Sequence, residues 1–228
     1  MLRSILFAAI ITGTLTGIML TGIQHLQIIP LIQQAEQYET LGASSHVQQH
    51  DHGSANHANP TQSNSETLGR HLFTLLANIL VGISFALLLA SAITFSNHAG
   101  WRKGLFWGIA GYLSFFVAPA LGLTPKLPGT LGAPLLDQQV WWVATVTATA
   151  IGLGLLVFAK HILLKSLGLV FIAMPHFIGA PLPQQPHSLA PEQLRHDFVI
   201  AAALANAGFW IILGVLSGYL LGKTKTTI

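Results

Sequence analysis

Cysteine is absent from this chain, and Asp, Glu, Lys and Arg together fill only 7% of its 228 positions. The first absence excludes disulfides, thiolate metal sites, iron–sulfur clusters and cysteine nucleophiles, so any metal must be held by His, Asp, Glu, Met or backbone groups. The second excludes a water-soluble domain. At 52% hydrophobic residues the chain cannot present the charged surface that keeps a folded domain dissolved. Charge clusters are missing too: the 10 Lys and Arg, behind a net charge of +3, stand in ones and twos and never form the stripe a phosphate backbone needs. A nucleic-acid partner is therefore not expected.

Catalytic signatures are equally scarce. No G-x-S-x-G, H-E-x-x-H, C-x-x-C or G-x-G-x-x-G occurs, and SGYLLGKT (Ser217 to Thr224) misses a phosphate-binding loop by its first glycine, with no strand before it. The expectation is a protein that is not an enzyme and holds no tightly bound cofactor.

What the chain does have is long hydrophobic runs. A membrane span needs about 17–25 apolar residues. Such runs lie at about Ser4 to Ile29, His71 to Phe95, Gly104 to Leu123, Val140 to Ala159, Ile162 to Ile178 and Phe198 to Leu221. The fourth and fifth are interrupted only by Lys160, His161 and Lys165, so a five-span reading with one long bent helix competes with six. Positive residues near helix ends accumulate on the cytoplasmic side. Six spans place Arg3, Arg102, Lys103, Lys160, Lys165, Lys223 and Lys225 inside, against Arg70, Lys126 and Arg195 outside; five would move Lys223 and Lys225 outside. All seven acidic residues, Glu36, Glu39, Asp51, Glu66, Asp137, Glu192 and Asp197, then fall outside. The first run continues past the h-region length of a signal peptide, and no convincing cleavage site follows, so it reads as a retained helix.

The fold expected is all-α: one polytopic membrane domain over residues 1–228, a bundle of about six transmembrane helices with cytoplasmic N and C termini. Gly13 with Gly17, Gly104 with Gly108, and Gly214 with Gly218 and Gly222 carry the small-residue spacing that lets helices approach closely in lipid.

Histidine is the one ligand type in supply. Residues 30–69 read as a polar, His-rich extracytoplasmic loop, where His46, His50, Asp51, His52 and His57 could take up a borderline divalent ion such as Co, Ni or Zn; incidental loop histidines are the plain alternative. A second set is His25, His71, His176 and His196, each at the outer end of a different span. Polar groups at that depth are costly unless they face a cavity or a partner, although each alone also fits an interfacial histidine satisfied by water. Pro175, in Met174-Pro175-His176, removes a helical hydrogen bond and is expected to unwind that segment. Glu36 and Glu39 could add oxygen ligands or a funnel for cations. Asn78 and Asn206 lie deeper on two spans running inward, where each could relay a cation or make an interhelical hydrogen bond.

Several blocks bear on identity: QHLQIIPLIQQAEQYE (Gln24 to Glu39), RHLFTLLANILVGISFALLLA (Arg70 to Ala90), WRKGLFWGIAGYLSFFVAPALGLTPKLPG (Trp101 to Gly129), QQVWWVATVTATAIGLGLL (Gln138 to Leu156) and MPHFIGAP (Met174 to Pro181). In order and spacing they resemble the proposed cobalt transporter subunit family CbtA of bacteria, over nearly the full length. His71 and His176 lie within resembling blocks; the His46 to His57 stretch lies where members vary. The resemblance implies a multi-pass protein of the bacterial cytoplasmic membrane, cobalamin-related gene context, and a small single-span, histidine-bearing companion subunit, CbtB. The leading functional expectation is cobalt(II) uptake, with ions collected by the outer histidines and carboxylates. A non-transporting accessory or scaffold subunit is a second reading. A third is a redox protein whose histidines bind haem, although only His98 and His161 stand toward the inner side.

Overall fold

The computed structural model describes residues 2–46, 60–96, 100–184 and 188–226, with side chains described for 2–41, 68–96, 100–184 and 188–223. They form an all-α bundle of six helices without strands. Helix α1 runs as Leu2–Ile23, a π turn at Gln24–Ile28, and Ile29–His46. Then follow α2 (Pro60–Phe95), α3 (Trp101–Tyr112, a π turn at Leu113–Val117, and Ala118–Ala120), α4 (Leu135–Phe158), α5 (Ile162–Ile178) and α6 (Glu192–Thr226). Four stretches are long and apolar enough to cross a membrane: Leu2–Leu41, Leu68–Phe95, Leu135–Phe158 and Glu192–Lys223. Helix α5, at 17 residues, sits at the lower limit for a span. A break at Ala159 and His161, both in extended conformation, separates α4 from α5. Six helices, not five, therefore make the bundle.

Backbone contact between glycines pairs these helices. A Cβ placed on Gly17 of α1 would lie 2.7 Å from the Asn78 carbonyl oxygen of α2, and Gly13 meets Gly82 and Ile83 in the same way. Gly104 and Gly108 of α3 press on Trp210, Gly214 and Gly218 of α6, and the Gly100 N–H donates to the Gly218 carbonyl at 3.0 Å. Gly152 of α4 and Gly168 of α5 make a third such contact. These pairings are antiparallel. So is α1 with α6, since Ile23 lies by Gly208 while Ile28, Leu31 and Ile32 pack with Leu194 and Phe198. The start of α1 and the end of α6 accordingly share one side of the bundle.

Helices α1, α2, α3 and α6 enclose the main core. Trp210 fills its centre against Gly111, with Phe85 at 4.9 Å and Phe115 stacked at 5.3 Å between ring centroids. The α4–α5 hairpin attaches at the flank through Trp142 on Phe115 and Phe158 on Trp107. At the opposite side from the termini, the connections after α3 and α5 are pinned together where Thr130 and Ser188 share a hydrogen bond of 3.0 Å between hydroxyls.

The two π turns have a common cause. Each ends two residues before a proline, Pro30 after Gln24–Ile28 and Pro119 after Leu113–Val117. A proline in a helix lacks an N–H and its ring collides with the carbonyl four residues back, here that of Leu26 or Phe115. One extra residue in the turn moves that carbonyl away, and the N–H of Ile29 and of Ala118 bonds five residues back, to Gln24 and Leu113.

Within the loop expected at residues 30–69, residues 30–46 and 60–69 are helical, and residues 47–59 lie outside the described residues. Helix α1 passes through Pro30 and continues to His46, and α2 begins at Pro60. The extension is helical because Ile28, Leu31, Ile32 and Ala35 fall at helical spacing and pack on Leu127, Ala190, Leu194 and Phe198. Pro175 also departs from expectation: α5 stays helical to Ile178 around it, braced by Trp141, whose Nε1 donates to the Pro175 carbonyl at 3.3 Å.

Gly17→Ala should lower stability by about 1–3 kcal/mol, the usual cost of forcing an extra methyl into a packed contact. Gly22→Ala, where a Cβ meets nothing within 4 Å, should be neutral or slightly stabilising. Thermal unfolding of the two variants in one detergent checks the contrast; equal melting temperatures would rule out the glycine contact as the source of α1–α2 stability.

Candidate metal centre

The α1–α2 contact builds the site from below. With Gly17 seated on the Asn78 backbone, the next residues up the interface are polar. The Asn78 amide donates to Thr21 Oγ1 at 2.9 Å and to Gln24 Oε1 at 2.6 Å, and the Thr21 hydroxyl donates to the Gly17 carbonyl at 2.9 Å. Each hydrogen bond polarises the next, which fixes the rotamers of all three side chains where lipid offers no competing partner. This is the interhelical role expected for Asn78, and it leaves Oδ1 as the oxygen it could offer to an ion.

Above this network the π turn carries His25. From this turn Gln24 and His25 both reach α2, Gln24 at Asn78 and His25 at His71. His25 and His71 meet edge to face, ring centroids 4.7 Å apart and planes at 72°. Two imidazole nitrogens each about 2.1 Å from a shared ion place their ring centroids about 5 Å apart. The ring spacing of the pair is of that order, and it is equally that of an edge-to-face ring contact. His25 is exposed and His71 half-buried, so the pair is open at the surface of the bundle.

Beside it Glu36, on the extension of α1, reaches Arg70 of α2 at 3.7 Å. Both side chains are well exposed, so the pair adds little stability. Its effect is electrostatic: the carboxylate offsets the guanidinium that adjoins His71, lowering the repulsion that Arg70 exerts on an approaching cation. Glu39 is exposed one turn further out.

The other expected ligands are placed elsewhere. His176 packs edge to face on Trp141, at 6.1 Å between centroids. His196 is exposed at the start of α6, with Nδ1 3.9 Å from the carboxylate of its neighbour Asp197, which accepts from Gln193. Asn206 donates to the Ala202 carbonyl of its own helix at 3.0 Å, not across an interface. Of the loop histidines, the His46 side chain and all of His50, His52 and His57 lie outside the described residues, as do Asp51 and His98. Among the described residues no three His, Asp or Glu side chains converge as a metal-holding group, so the layer of four histidines resolves into one pair and two separate residues. Sequence reasoning missed the Thr21–Gln24–Asn78 network; polar residues at Thr21, Gln24 and His25 within an apolar run were its signal.

The model of the CbtA family, described as a probable cobalt transporter subunit, matches residues 2–222. No curated protein and no solved structure matches the chain.

Asn78→Leu removes the donor that ties α2 to Thr21 and Gln24, and should cost about 0.6–1.7 kcal/mol, the measured range for interhelical hydrogen bonds in membranes. A melting temperature unchanged from the parent in the same detergent would show that the network carries no stability.

Proposed function

The chain belongs to the CbtA family of probable cobalt transporter subunits, and from that premise we propose that it moves cobalt(II) inward across the bacterial cytoplasmic membrane, receiving the ion at His25 and His71. The observation that carries this reading is the His25–His71 pair, two imidazole rings from different helices with centroids 4.7 Å apart. Histidine without thiolate suits a borderline divalent ion, and two ligands hold it loosely enough to release it, as conduction requires. Glu36, Glu39 and the outer histidines His46, His50, His52, His57, His176 and His196 serve in this reading to gather cations near the pair.

Orientation is supported by charge. The side that holds the start of α1 and the end of α6 also holds Arg3, Arg102, Lys103, Lys160, Lys165 and Lys223, whereas the described acidic side chains stand on the other side. By the positive-inside tendency the former is cytoplasmic and the histidine pair faces outward.

Below the pair the α1–α2 interface closes, because backbone meets backbone at Gly17 and Asn78. An ion cannot pass straight between these two helices. Being a subunit, the chain works with a partner. In the reading proposed here a CbtB-like single-span companion completes the route, with the Asn78 and Asn206 carbonyl oxygens as inner relays.

Metal-starved cells producing the chain with its companion should accumulate radioactive cobalt above vector controls, with nickel and zinc added as competitors. His25→Ala with His71→Ala should reduce accumulation at least tenfold, while His196→Ala leaves it within twofold. No accumulation with both proteins in the membrane would favour the accessory-subunit reading; accumulation that survives the double substitution would move the site elsewhere.

A further inference from the structure

A cleft of about 520 Å³ opens between α2, α3 and α4, far from the histidine pair. Its walls are Leu88, Leu89, Phe106, Trp107, Leu153 and Phe158, with Lys103 at one end and Ser114 at the other. Beside the cleft the α4–α5 hairpin meets the main bundle through Phe158 on Trp107 and Trp142 on Phe115.

We propose that this cleft is a binding site for one anionic phospholipid, its acyl chain lying along α3 and its phosphate on the Lys103 ammonium. Length and charge argue for this occupant. Lys103 and Ser114 are eleven residues apart on one helix, about 16 Å, which matches the roughly 15 Å depth of one leaflet's hydrocarbon. A spanning helix of a partner would need about twice that length of apolar wall. The charged end is specific as well. Arg102, the neighbouring cation, lies over the Trp101 ring at 5.3 Å, and Lys223 lies over Tyr219. Among the described residues Lys103 has no carboxylate within ion-pair distance. No acidic side chain is described on this side of the bundle to repel a lipid phosphate at Lys103. A zwitterionic headgroup would bring its own cation toward that lysine.

The test uses the full chain in nanodiscs of equal phosphatidylglycerol and phosphatidylethanolamine, released into detergent and weighed by native mass spectrometry. The parent should retain phosphatidylglycerol about fivefold over phosphatidylethanolamine, the preference that one lysine near the surface provides. Lys103→Ala should bring the ratio to about one, Lys103→Arg should keep it, and Arg102→Ala should leave it unchanged. Ala110→Trp, which fills the cleft with Lys103 in place, should abolish retention of both lipids. Equal retention by the parent, an unchanged ratio in Lys103→Ala, a ratio lost equally in Arg102→Ala, or retention that survives Ala110→Trp would each overturn the site. A folded Lys103→Arg protein guards against misfolding as the cause of any loss.

Discussion

Everything in this bundle hangs on backbone meeting backbone at glycine. In lipid, apolar side chains gain nothing by leaving one apolar environment for another, so helices associate through close van der Waals contact and through polar groups that lipid cannot satisfy. The chain uses glycine for the first at three interfaces: Gly13 and Gly17 on α2, Gly104 and Gly108 on α6, and Gly152 with Gly168 between α4 and α5. The polar network follows from the first of these. Asn78 can reach Thr21 and Gln24 because the contact at Gly17 brings α2 against α1 just below them.

Two prolines then decide what the upper part of the bundle looks like. A proline within a helix normally kinks or stops it. Here each is preceded by a π turn that takes up the steric conflict, and each π turn places an important side chain. In α1 the turn bears Gln24 and His25; in α3 it bears Ser114 and Phe115, which stacks on Trp210. The turn in α1 also lets the helix run on to new partners, so that its extension covers the outer end of α6 and supplies Glu36 beside Arg70. An apolar helix, a candidate metal-ligand position and a cap over the start of α6 thus share one continuous segment.

Much of this was legible in the sequence. Hydrophobic runs and lysine positions sufficed for six helices, and the glycine spacings in α1, α3 and α6 pointed to the faces that pack. Less legible were the glycines that answer them from a partner helix, since Gly82 is matched at four-residue spacing only by Ala86 and Gly168 by no small residue. Residues 30–69 were read as a loop from their polar composition, which does not show that a π turn carries the helix through Pro30. Similar depth of His25, His71, His176 and His196 was also readable, but depth alone does not fix the azimuth of a residue on its helix. Azimuth is set by packing, which turns His176 onto Trp141 and leaves His196 by Asp197.

That separation bears on how such a site works. Four histidines converging on one ion would make a tetrahedral cage of the structural kind, from which a divalent metal leaves slowly. Two imidazoles leave the remaining coordination positions to water or to ligands that arrive with the ion or with a partner chain. Because the α1–α2 interface is sealed about two turns below by the Gly17–Asn78 contact, an ion received at the pair as proposed would move on only sideways, along the surface of α1 or α2, or after those helices part. A two-ligand site at the rim of a closed interface is thus suited to hand-over at an interface with another subunit, and poorly suited to conduction through this chain alone.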